Sequence, residues 1–245
     1  MVEKPRYIRN SFSVFFQRQP TIRRKANEIE DILKEQYAQP QIIPVPDGLD
    51  PEVPRIIFGS KRGFSQIIVS QINLALNVVY SPDWQEEISR GKGYMLERIP
   101  LLFKVLEVIE EAKPDFCGLM TQVRLSIKAD KEAILGHITK LFLQDTDIKD
   151  LHDIQLKTTT IISGRFFSNI TLRYYQAWKA EETQQGVLRL PDKEALERGI
   201  EIEGDFNDRY MFNEKRDYFS GEDLVEKIVD SGLAEVHKTI ERLRG

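Results

Sequence analysis

Glu201, Glu203 and Asp205 alternate with Ile200, Ile202 and Gly204. A period of two puts three carboxylates on one face of a strand. Such an oxygen array suits a hard cation such as Mg²⁺, and with it metal-assisted hydrolysis. Pro191-Asp192 upstream invites comparison with metal-dependent nucleases, but the acidic-x-Lys element of those enzymes is missing. A strand at a sheet edge, charged so that it does not pair with its own copy, explains the pattern more simply.

A second set of residues suits binding. Arg124 and Lys128 alternate with apolar neighbours beside Gln122, and Arg173 and Tyr175 do the same beside Asn169 and Thr171. With Asn73 and Asn77 they define a polar sheet face turned away from the helices. Arginine and asparagine donors near an aromatic ring can hold phosphates and bases. Arg23, Arg24 and Lys25 add a basic segment near the N-terminus. An ordinary solvated sheet face is the competing explanation.

The 245 residues carry a net charge of −4, unevenly spread. Residues 1–25 hold seven basic groups against Glu3, a local +6 that leaves −10 elsewhere. That asymmetry can mark an anion-binding patch, although a general nucleic-acid binder is usually basic overall and here the pI is near 5.6. Apolar residues make up 41% and charged residues 30%, as in soluble globular proteins. No run is long enough to span a bilayer, and no apolar core of a secretory signal is visible. The single cysteine, Cys117, sits in an apolar alternating pattern and fits a buried residue in a reducing cytoplasm.

Other chemistries find little footing. His137, His152 and His237 are not spaced as metal ligands, and no cysteine pair accompanies them. No nucleophile-elbow motif is present. Gly59-Ser60-Lys61-Arg62-Gly63 lacks phosphate-loop spacing and leads into a strand, so it reads as a hairpin turn. No cofactor is implied.

These residues need elements to position them. Ser11–Gln17 reads as a strand, and Pro20-Thr21 opens a helix with Ile22, Ala26, Ile29 and Leu33 inward. Residues 37–54 hold five of the eleven prolines and read as an irregular surface connection. Residues 54–80 read as three antiparallel strands, with turns at Gly63 and near 71–73. A short turn at 84–89, interrupted by Gly91 and Gly93, precedes a helix over 94–111 that Pro100 breaks or restarts. Its expected stripe is Leu96, Ile99, Phe103, Leu106 and Ile109.

The second part begins with a long strand over 116–128. Asp130 caps a helix over 131–143, and residues 144–153 form an acidic loop. A hairpin over 156–178 turns at Gly164. After a polar excursion over 179–198 comes a strand within 199–212, and Ser220-x-x-Asp223 forms a capping box for a helix over 224–243.

The order strand, helix, strands, long helix thus occurs twice, over 1–113 and 114–245. The fold expected is α+β, with antiparallel sheets, helices on one face and two βαβββα-like halves packed as one unit. By element order it is TATA-binding-protein-like or helix-grip-like, and that analogy does not transfer function.

Three places carry a resemblance to a known group. They are Arg6–Gln17, then Val53–Phe58 with Leu74–Asn77, and Leu233–His237 in the last helix. The chain resembles a sporadically distributed family of prokaryotic proteins of unknown function, as a divergent member, since Val78 stands where that family has an aromatic. The resemblance implies a single full-length module, brings no catalytic residues, and suggests an accessory role in prokaryotic defence or a mobile element. The reading that follows is a non-enzymatic cytoplasmic module that binds a protein partner or forms a homodimer. Nucleic-acid binding and metal-dependent hydrolysis are the alternatives.

Overall fold

The computed structural model describes residues 3–109, 112–143, 148, 150–179 and 190–245. Its strands are β1 (Arg6–Phe16), β2 (Gln41–Ile42), β3 (Ile56–Gly59), β4 (Ser65–Val69), β5 (Asn73–Val79), β6 (Pro114–Ser126), β7 (Gln155–Ile162), β8 (Phe166–Ala177) and β9 (Glu197–Asn207). Its helices are α1 (Ala26–Leu33), α2 (Ile88–Val108), α3 (Lys131–Phe142), α4 (Arg209–Glu214) and α5 (Val225–Arg244). All nine strands join one antiparallel sheet in the order β2-β3-β4-β5-β1-β6-β9-β8-β7. The fold is α+β. No helix among the described residues is long and apolar enough to cross a membrane.

The alternation in each strand meets its neighbour in register. Phe58, Ile67, Leu76, Phe12, Leu119 and Phe206 stand opposite one another in turn across six strands, and all are buried. Ile29 and Leu33 of α1, Ile99 and Leu102 of α2, Ile134 and Ile138 of α3, and Val236 and Ile240 of α5 close over the same core. Each such side chain contributes about 1.5–3 kcal/mol by leaving water. Short α4 lies at one end of the opposite face, where Phe212 meets Phe116 at 5.7 Å and Tyr210 meets Phe167 at 5.4 Å between ring centres, and past α4 that face is free of helices among the described residues.

Both parts run strand, helix, three strands, long helix. Their strands lie as β3-β4-β5-β1 and β6-β9-β8-β7, so β1 and β6 meet antiparallel at the middle of the sheet. Only β2, outside β3, has no counterpart among the described strands.

Several boundaries differ from expectation. Helix α2 runs unbroken from Ile88 through both glycines and Pro100. Gly91 lies against the Tyr80 ring, where an added Cβ would stand 2.7 Å from the phenol oxygen, so the glycine marks a close approach and not a break. The buried stripe of α2 is turned toward Met95, Ile99, Leu102 and Val105, with Leu96 and Phe103 at its margin. Asp130 caps α3 as read, its carboxylate accepting from the Ala133 amide at 2.8 Å. Ser220 caps nothing. It is buried near Cys117, and a 3₁₀ turn at Glu222–Leu224 without a side-chain cap precedes α5. The turn after β4 is made by Ser70, whose hydroxyl accepts from the amides of Ile72 and Asn73. Residues 110–111, most of 144–149 and 180–189, in the expected helix end, acidic loop and polar excursion, lie outside the described residues.

Gly199 shows how closely β6 and β9 approach: a Cβ there would sit 1.9 Å from the Leu125 carbonyl oxygen. Gly136, exposed on α3, has nothing within 4 Å of that position. Gly199→Ala is expected to destabilise by at least about 2 kcal/mol. Gly136→Ala should stabilise by about 0.5–1 kcal/mol. Urea denaturation of the two variants checks both signs.

Candidate functional site: the helix-free face of the sheet

Residues alternating with the core line the other side of the sheet. Arg6 stands opposite Arg124, Arg124 opposite Glu201, and Glu201 opposite Arg173. Glu201 therefore lies between two guanidiniums. Arg124 Nε donates to its Oε2 at 2.8 Å, and Arg173 Nε donates to its Oε1 at 2.7 Å, joined by Arg173 Nη2. The carboxylate is only 2% exposed although no helix among the described residues covers it, because the two arginines lie across it. Burial alone would raise its pKa. The hydrogen bonds and charges of Arg124 and Arg173 outweigh burial and hold it below the usual carboxylate range.

A second cluster adjoins the first. The Glu197 carboxylate accepts from Arg6 Nη2, from the Tyr175 hydroxyl, and from Ser126 Oγ at 2.8 Å. Burial, then the Glu197 carboxylate, pushes the Tyr175 phenol up to about 12. The Arg124 guanidinium lies 5.0 Å from the Tyr175 ring centre and links the two clusters.

Further rows complete the face. Arg9, Gln122, Glu203, Thr171 and Lys157 stand opposite one another in turn. The next row is Asn77, Ser11, Met120, Asp205, Asn169 and Thr159. Asp205 accepts from Asn169 at 3.0 Å and from Asn207 at 2.9 Å. Ala75, Ser13 and Gly118 then leave a low floor. Beyond it Phe15 and Phe116 stack at 4.4 Å beneath Phe212 of α4. Asp208 anchors that helix: one of its oxygens accepts from the Cys117 amide at 2.7 Å and the other from the Tyr218 hydroxyl at 2.5 Å.

The face thus collects Arg124, Arg173 and Tyr175, as the alternation predicts. Lys128 is not part of it. It lies two residues beyond the end of β6 and pairs with Glu3 at 3.1 Å. Arg23, Arg24 and Lys25 are also elsewhere, in a 3₁₀ turn before α1 whose Ile22 enters the core on the helix side. Arg23 reaches the Ile43 carbonyl and Asp47, and Lys25 pairs with Glu28.

The metal reading meets a different arrangement. Strand β9 is central, between β6 and β8, so its carboxylates do not guard an edge. Both Glu201 oxygens are taken by arginines, and Asp205 is taken by amides. Among the described residues, no group of three or more His, Cys, Asp or Glu gathers where a metal ion could be held.

Ser126 follows Gln122 and Arg124 onto this face as the alternation predicts, whereas Glu197 falls in the segment expected to be a polar excursion and is instead the first residue of β9, and Arg6 escapes a reading by alternation. Arg6 and Arg9 are three apart and should face opposite sides of a regular strand. A register shift between Tyr7 and Arg9 places both on this face while Tyr7 turns into the core. Of the histidines, His137 Nε2 lies 2.9 Å from the Leu243 carbonyl oxygen, and His152 lies beside Lys131 Nζ, which also reaches Asp192 at 3.2 Å. Cys117 is fully buried, and burial raises its thiol pKa well above the usual range.

No protein-family model matches the chain, and no curated protein matches it in sequence.

The depressed pKa of Glu201 has a consequence for acid stability. As pH falls, the unfolded chain takes up this proton first. The contribution is therefore present above the ordinary carboxylate pKa and is lost as pH drops through the lower folded value. Glu201→Gln should cost about 1–3 kcal/mol at pH 7. Urea denaturation at neutral and acid pH should also show that this variant loses less stability than the parent on acidification.

Proposed function

We propose that the protein is a non-enzymatic interaction module that receives a protein partner on the helix-free face of its sheet. The observation that carries this reading is the composition of that face. Arg6, Arg9, Arg124, Lys157 and Arg173 stand among Glu197, Glu201, Glu203 and Asp205. The strands set these five cations among four carboxylates, and α4 adds Arg209 over the Phe116 ring next to Asp208, so little excess charge is left for a phosphate backbone, whose binding depends on unneutralised lysine and arginine. Arginine, tyrosine and phenylalanine beside a small-residue floor match the make-up of protein–protein contact surfaces. Phe212 on α4 is 38% exposed at the rim of the floor, where a partner can bury it. The resemblance to a sporadic prokaryotic family supports placing that partner in a defence or mobile-element system.

A tagged pull-down from the native host, with and without nuclease, tests the reading. A stoichiometric protein is expected in both. Phe212→Glu, and Asn77→Trp on β5 beside the floor residue Ala75, should each lower its recovery at least about tenfold, the effect of losing ~1.4 kcal/mol, with circular dichroism unchanged. Equal recovery by both variants removes this face as the contact surface. Nuclease-sensitive material without a protein would favour nucleic acid instead.

A further inference from the structure

Strand β7 is the last strand of the sheet. Its inner edge pairs with β8 without interruption from Gln155↔Arg173 to Ile162↔Phe166, and among the described residues no strand lies along its outer edge. The other end of the sheet is guarded. There β2 is two residues long, and Pro40, Pro44 and Pro46 stand close to it in the chain. Short edge strands and prolines prevent pairing with another chain. Strand β7 has neither device. It is eight residues long, has no proline and no bulge, holds three consecutive threonines, and carries one charge, Lys157. β-branched residues of this kind favour strand pairing.

The ladder fixes which backbone groups point outward. The Tyr174 amide donates to the Ile154 carbonyl at 3.3 Å, next to the Gln155↔Arg173 pair. Alternation along an antiparallel ladder then turns the backbone groups of Leu156, Thr158 and Thr160 toward β8. Those of Gln155, Lys157, Thr159 and Ile161 are left on the outer edge.

We propose that β7 pairs antiparallel with β7 of a second copy of this chain, about a two-fold axis at Thr158. In that register Gln155 lies opposite Ile161 of the copy, and Lys157 lies opposite Thr159. Every outward amide and carbonyl of the four residues is then used. A shift of one residue either way would set outward groups against inward ones. The register also keeps the single charge from facing itself. On the helix side Leu156 meets Thr160 and Thr158 meets Thr158. Beside that seam runs a groove of about 450 Å³ over Phe142, Leu156, Ile170 and Leu172, so two such grooves would adjoin across the axis. The pairing would join two nine-stranded sheets into one and leave the helix-free face of each copy open.

Sedimentation velocity over a range of concentrations tests this directly. The parent should sediment as a dimer of the 28.5 kDa chain. Thr159→Pro, which removes an outward donor where an edge strand tolerates proline, should sediment as a monomer with an unchanged circular dichroism spectrum. Register is read by cross-linking. Thr158→Cys should form an intermolecular disulfide on mild oxidation, because a non-hydrogen-bonded pair brings Cα atoms within about 4.5 Å. Thr160→Cys should not. Cys117 is buried and does not compete. A parent that stays monomeric at every concentration overturns the proposal, whatever other strand then meets this edge. So does a dimer that Thr159→Pro leaves intact, or equal cross-linking by the two cysteine variants. None of these outcomes depends on which partner the helix-free face receives.

Discussion

Strands β1 and β6 lie side by side at the middle of the sheet, paired from Arg6↔Arg124 to Phe16↔Pro114. Residues 17–113 separate the two strands in the chain, yet their pairing joins the five-stranded arm that ends in β1 to the four-stranded arm that begins with β6. It sets Phe12 against Leu119 and Val14 against Cys117, which carries the apolar row across the junction. A slip of one residue would turn every one of these side chains to the other face. Register is therefore held by burial on the helix side, and the polar face inherits it. Contacts so distant in sequence form at a high entropic cost and belong to slowly folding topologies.

The polar face follows from that register, not from any one strand. Glu201 sits between Arg124 and Arg173 only because β9 enters between β6 and β8. A carboxylate this buried would carry a large desolvation cost alone, and two guanidiniums offset it. Because those arginines keep part of their surface in water, the row stays accessible from outside. The same charges that read as a cation site or a phosphate grip along single strands neutralise one another across three. On the proposed reading, a partner of such a surface would be selected by matching hydrogen bonds and shape more than by net attraction.

Much of the architecture was legible. Alternation in residues 72–80 and 116–128, the turn at Gly164 and the cap at Asp130 are local signals, and each appears where local chemistry places it. What failed did so for tertiary reasons. Gly91 looks like a helix breaker until Tyr80 is found against it. Ser220 has the spacing of a capping box, yet its environment near Cys117 takes it away from the helix. Helix α4 gave no strong periodic signal in six residues. It is held instead by Asp208 and by Phe116 and Phe167 beneath it.

By itself, the sequence determined the class of fold, the twice-used order of elements and the inward sides of most strands, because these depend on periodicity within a few neighbouring residues. It also marked Arg124, Arg173 and Tyr175 as members of one polar face. Only the tertiary structure decided that Glu201 binds two of them, that a bulge brings Arg6 and Arg9 to the same side, and that Lys128 and the Arg23–Lys25 segment lie elsewhere. Strand order and register set those outcomes. Both arise from pairings between segments far apart in the chain, and the period of a single strand carries no record of its neighbour.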